Sequence, residues 1–110
     1  MILRIVNFTL CGIDDEQYQR HAATVADGFN HWEGLVAKLW LHDPHTGTYG
    51  GAYLFADQAA ADASRVTDLF RKMEANPAFA DLSVHEYGVI EQLTAITGGA
   101  ALTVPSARSR

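Results

Sequence analysis

From Ile2 to Leu10 the chain alternates. Ile2, Arg4, Val6, Phe8 and Leu10 fall on one side of an extended backbone and Leu3, Ile5, Asn7 and Thr9 on the other, which predicts a strand apolar on both faces apart from a few polar positions. At Asp14 the period changes. Asp14, Asp15 and Glu16 place carboxylates where a helix start has free amides and the positive end of its dipole. Tyr18, Ala22, Val25 and Phe29 follow at helical spacing, predicting a helix over residues 14–30. After Gly34 the segment LVAKLWLH sets Leu35, Ala37, Leu39 and Leu41 against Val36, Lys38, Trp40 and His42, a second strand. Asp43-Pro44-His45-Thr46-Gly47 is turn chemistry, so a hairpin joins it to a third strand, YGGAYLF over residues 49–55. Asp57 is placed to cap a second helix, in which Ala59, Ala63, Val66, Phe70 and Met73 recur until Asn76-Pro77 ends it. LSVHEYGVI, residues 82–90, reads as the fourth strand, and EQLTAIT after it as a short helical turn.

The resulting order is β-α-β-β-α-β, the α+β ferredoxin-like pattern, in which two helices cover one face of a four-stranded antiparallel sheet. The other face should then be polar, and it is not. Val36 and Trp40 oppose the leucine face of the second strand, and Tyr53 and Phe55 oppose Ala52 and Leu54 on the third. A sheet apolar on both faces needs cover on both, and no residues remain to supply a second layer. The expectation is a homodimer packed sheet against sheet, with a single domain over residues 1–97 and a loose tail at 98–110.

Composition narrows the function. At 110 residues the chain fits one domain, and its net charge of −5 without a basic run argues against nucleic acid or an anionic membrane as partner. The lone Cys11 rules out an internal disulfide framework and thiolate metal clusters, and it fits a reducing, cytoplasmic setting. The apolar start MILRIVNFTL is too short to span a bilayer and lacks the features of a signal peptide.

Several residues are candidates for chemistry, each with a plainer reading beside it. Gly50-Gly51 interrupts a strand that should be central, either to leave a floor for a planar ligand or to accommodate a bulge or close packing. Trp40 and Tyr53 would wall an aromatic substrate, or simply fill apolar space. Lys38, beside them, is expected to carry its amine out to solvent. His85, alternating with Ser83 and Tyr87, and His21, at the margin of the first helix's apolar stripe, are candidate general bases. A hydrogen-bonded structural histidine is the plainer reading of each. Asn7 would donate to an oxyanion or a dioxygen-derived species, or else satisfy a backbone group, and Tyr87 would contact the substrate from the last strand. His42 and His45 flank a turn without an evident third ligand, so no metal is expected, and no phosphate loop or dinucleotide fingerprint is present.

The stretch FNHWEGLVAKLWLHDPHTGTYGGAYLFADQAAADA, with Gly34, Lys38-x-Trp40, the hairpin, Gly50-Gly51-x-Tyr53-Leu54-Phe55 and Asp57, resembles the YdhR mono-oxygenase family of the dimeric α+β barrel superfamily, as does the later VIEQLTAI. The resemblance implies a ferredoxin-like monomer pairing into a barrel, with a pocket lined partly by the central strands. It also implies cofactor-independent oxygenation of an aromatic or polyketide-like compound, the chemistry of the relatives from which the family takes its label. Isomerase, cyclase and non-catalytic binding roles occur in the same superfamily. Relatives that degrade haem use a histidine on the second helix, and residues 57–76 contain none, so haem is not expected.

Overall fold

A computed structural model describes residues 1–99 and residue 101; the tail expected at 98–110 lies mostly outside them. The chain runs β1 (Ile2–Leu10), α1 (Asp15–Val25), a 3-10 segment (Ala26–His31), β2 (Leu35–Asp43), β3 (Thr48–Phe55), α2 (Gln58–Arg65), α3 (Asp68–Ala75), β4 (Phe79–Gly88) and α4 (Glu91–Ile96). The sheet is antiparallel in the order β2-β3-β1-β4, so the ferredoxin-like expectation holds and β3 is central.

Local chemistry explains the boundaries. At the start of α1, Asp14 accepts from the Gln17 amide at 2.8 Å and Gln17 accepts from the Asp14 amide at 2.9 Å, a reciprocal cap. The helix ends sooner than periodicity predicts and tightens to 3-10 geometry around Gly28, a weak helix former. The second predicted helix is two. Thr67 breaks it: its hydroxyl donates to the Ser64 carbonyl at 2.6 Å and accepts from the Phe70 amide at 3.3 Å, closing α2 and capping α3. β4 begins at Phe79, earlier than alternation indicates. Asp81, with φ at 55°, lies where the register against β1 shifts, and that irregularity hides the first residues of the strand.

The helices cover the sheet face that carries Arg4, Val6 and Phe8 of β1 and Tyr49, Tyr53 and Phe55 of β3, with Tyr18, Phe29, Ala61 and Phe70 packed onto them. Arg4 is fully buried. It donates to Glu86, Ser64 Oγ and the Ala61 carbonyl, each at 2.8 Å, and lies 4.7 Å from the Phe55 ring centroid, so each of its three nitrogens has a partner.

The opposite face carries no helix. Its rows, read from the register, are Leu39–Ala52–Ile5–His85 and Ala37–Leu54–Leu3–Tyr87, followed by Leu41–Gly50–Asn7–Ser83. Leu39 is 61% exposed there, and Leu41 and Tyr87 are exposed with it. Beyond the sheet, Ile90 and, within α4, Leu93 and Ile96 are exposed. No helix among the described residues is long and apolar enough to cross a membrane.

Candidate active site

Between the sheet and the helices lies a cavity of about 120 Å³. Tyr53 and Gly50 of β3 and Trp40 of β2 line it from below; Tyr18 and His21 of α1, Phe29 of the 3-10 segment and Met73 of α3 close it from above. Its volume is close to that of apolar cavities known to admit benzene, about 150 Å³, so one aromatic ring is the right size of occupant. Tyr53 is almost wholly buried, and among the described residues its phenol donates only to the Met73 sulfur, at 3.9 Å. Burial raises the pKa of both Tyr53 and Tyr18, keeping both phenols protonated.

Lys38 is the feature that sequence reasoning misplaced. Its amine does not reach out to solvent but turns into the cavity. Nζ lies 3.7 Å from the centroid of the Trp40 ring, 4.1 Å from that of Tyr53 and 4.8 Å from that of Phe29. β2 puts Lys38 on the helix face directly opposite Tyr53 and sets Trp40 opposite Gly51. A Cβ at Gly51 would stand 2.7 Å from Lys38 Nζ, so the missing side chain is what leaves the amine its place. Burial lowers the Lys38 pKa to about 7, while the three ring faces favour the charged form and oppose that shift. Among the described residues no hydrogen bond or ion pair reaches Lys38, and no aspartate or glutamate lines the cavity.

The two glycines therefore have different causes. At Gly50 a Cβ would run into the Val6 carbonyl of β1, so that glycine permits the close approach of two central strands. At Gly51 the room belongs to Lys38.

The other candidates divide by face. Trp40 and Tyr53 line the cavity, and His21 lies at its margin, exposed, with its ring 6.2 Å from that of Phe79. His85 and Tyr87 do not line it: they extend from β4 on the helix-free face, in register with Ile5 and Leu3. Asn7 shares that face, between Gly50 and Ser83, beside a shallow groove at the β2–β3 turn. The difference follows from parity: Arg4, Val6 and Phe8 take the helix side, and odd-numbered residues of β1 and their partners on β4 must point away. His42 is stacked on Tyr49 with centroids 4.4 Å apart. Tyr49 donates to Asp15 at 2.6 Å, a bond that pushes the phenol up to about 12 and holds α1 against β3. Phe29 and Lys72 of the lining were not singled out beforehand. The legible signal was Lys38-x-Trp40 facing Gly51 across a hairpin, since the turn sequence fixes the register that brings these residues together.

Solved structures share this fold. One described as a "putative antibiotic biosynthesis monooxygenase" from Deinococcus radiodurans superposes with a TM-score of 0.69 at 12% identity, covering 81% of this chain and 92% of that one. A protein of unknown function from Nitrosomonas europaea gives 0.69 at 17% identity, with 81% and 88% covered. SnoaB, a cofactor-independent oxygenase from Streptomyces nogalater, gives 0.67 at 16% identity, with 81% and 92% covered. At such identities the likeness concerns the fold alone. No functionally curated protein matches the sequence. Residues 2–100 match the family described as "Putative mono-oxygenase ydhR", and the chain belongs to that family.

Proposed function

We propose that this protein is a homodimeric oxygenase that oxidises an activated carbon of a small aromatic compound with dioxygen and no bound cofactor. The observation that carries the reading is the ring-sized aromatic cavity with an amine in its wall and an imidazole at its margin. Trp40 and Tyr53 hold the substrate ring, and His21 takes a proton from an activated methylene or phenol. The resulting carbanion gives electrons to dioxygen and recombines with it as a hydroperoxide. Loss of water then leaves a ketone: R₂CH₂ + O₂ → R₂C=O + H₂O. Atoms and electrons balance without an added reductant. A cavity of about 120 Å³ fits one ring of a larger polyketide-like substrate, with the remainder at the mouth beside the 42% exposed Trp40.

The helix-free sheet face supports the second half of the proposal. Leu39, Ala52 and Ile5 lie beside Ala37, Leu54 and Leu3 there as an apolar patch bordered by His85 and Tyr87, and a second copy packed against it would remove that patch from water.

Dioxygen consumption tests the reading, using a panel of phenols and aryl ketones with activated methylenes, 2-indanone among them. The expected result is uptake of one dioxygen per ketone formed, lost in His21→Ala without a change in melting temperature. Turnover without oxygen uptake would replace oxygenation by proton transfer, the work of an isomerase or cyclase. Ligands bound but recovered unchanged would make the protein a binding module.

A further inference from the structure

We propose that the cavity selects aromatic ligands carrying a single negative charge, with the Lys38 amine as the counter-ion that selects them. The inference rests on this cavity being the ligand site of the oxygenase reading, and it adds the chemical class of the ligand.

An ammonium removed from water is costly unless something replaces its hydration. Three ring faces at 3.7, 4.1 and 4.8 Å replace part of it. They supply no hydrogen-bond acceptor equal to a carboxylate or phenolate, and among the described residues nothing else on Lys38 does. The remaining groups facing the space reinforce this bias. α1 contributes His21 and the protonated phenol of Tyr18, β3 the protonated phenol of Tyr53, and α3 Lys72. Every charge available there is positive, on a chain whose net charge is −5. No acidic residue lines the cavity, while Asp27 borders the neighbouring open groove that Lys38 also lines, and this positive lining favours an anion.

Ring and charge are placed to be read together. Lys38 Nζ stands over the Trp40 and Tyr53 rings in the same cavity wall, so an aromatic ligand held there lies within reach of the amine. A carboxylate and an ionised phenol or enol share this chemistry. Protonation of Lys38 accompanies binding of such an anion. With the free amine near 7, affinity for a permanent anion falls as pH rises above 7, approaching tenfold per unit.

The test follows the Trp40 indole N–H by NMR while the full-length protein is titrated with benzoate and with its neutral isostere benzamide. Benzoate is expected to bind at least about tenfold more tightly at pH 7, the scale of a charge-assisted hydrogen bond. In Lys38→Met the two should bind alike, and in the wild type the affinity for benzoate should fall as pH rises above 7. Equal affinities in the wild type, a preference for benzamide, no binding of either, or a benzoate preference that survives in folded Lys38→Met would overturn the inference. The wild-type comparison and its pH dependence need no variant. Benzoate has no activated methylene, so its binding is independent of oxygen chemistry. Benzoate preference without dioxygen uptake by any substrate defeats the oxygenase reading alone, and uptake without that preference defeats this inference alone.

Discussion

Adding one methyl group at each of the two adjacent glycines of β3 should separate their roles. In Gly50→Ala the new Cβ runs into the Val6 carbonyl, with Asn7 Cα 3.2 Å away, and both belong to the neighbouring backbone of the central pair. No side chain can rotate to relieve that contact, so β1 and β3 must part. Overpacking of this kind costs about 3 kcal/mol at the upper end of its usual range, and alanine's better strand propensity returns about 0.5–1 kcal/mol, leaving a net loss of about 2 kcal/mol. For a domain of this size that corresponds to a melting temperature lower by roughly 8 °C or more. In Gly51→Ala the nearest atom is the far end of Lys38 at 2.7 Å, which can swing away, and Leu39 O and Tyr53 Cε1 stand at 3.2 Å. That variant should melt within about 3 °C of wild type, since expelling the amine offsets the tighter contacts. It should also move the Lys38 amine toward solvent and weaken benzoate binding. Differential scanning calorimetry with the benzoate titration reads both effects. If Gly50→Ala melts like wild type, or Gly51→Ala proves the more damaging, the division of roles is wrong.

Other expectations follow from the same contacts. Arg4→Met leaves Glu86 with only Arg65, at 3.1 Å, and strips Ser64 and the Ala61 carbonyl of a donor; chemical denaturation should show a loss of about 3 kcal/mol, the low end for breaking a buried pair because Glu86 stays partly solvated. Burial raises the Glu86 pKa, but the hydrogen bonds and charges of Arg4 and then Arg65 outweigh it and hold the carboxylate below its ordinary value. Its contribution to stability is therefore present above the unfolded pKa and lost as pH falls through the folded one, and Arg4→Met should flatten the acid limb of the stability profile. Lys38 adds a slope of the same sign at higher pH: with its folded pKa lowered from 10.5 to about 7, the unfolded chain binds more protons between those values, and stability should rise with pH there by at most about 1.4 kcal/mol per unit, a slope absent from Lys38→Met. Leu39→Glu puts a charge on the β2 edge of the apolar sheet face and should convert a dimer to monomer in sedimentation velocity; an unchanged sedimentation coefficient would remove that part of the face from the interface.

Much of the fold was legible because period and turn chemistry are local. The strands of the hairpin, the cap at Asp14 and the element order all follow from residues a few positions apart. What escaped depended on geometry that periodicity does not carry. Thr67 splits the second helix through its side-chain bonds to Ser64 and Phe70, and a threonine in an apolar repeat gives little warning of that. His85 and Tyr87 were correctly placed on one face of β4, but which face the helices cover was set elsewhere, by Arg4, Val6 and Phe8. Burial statistics send a lysine to solvent, and they fail for Lys38 because Gly51, opposite Trp40 across the hairpin, leaves the amine a place among three rings.

An amine with no acidic partner among the described residues stands in the wall of an aromatic cavity, and everything proposed for the site depends on its place there. NMR titration of the Lys38 side chain tests it most directly, with Lys38→Met identifying the resonance. A midpoint near 7, moving upward when benzoate is added, is the expected result. A midpoint at the ordinary 10.5 that benzoate leaves unmoved would put the amine in water and refute that placement.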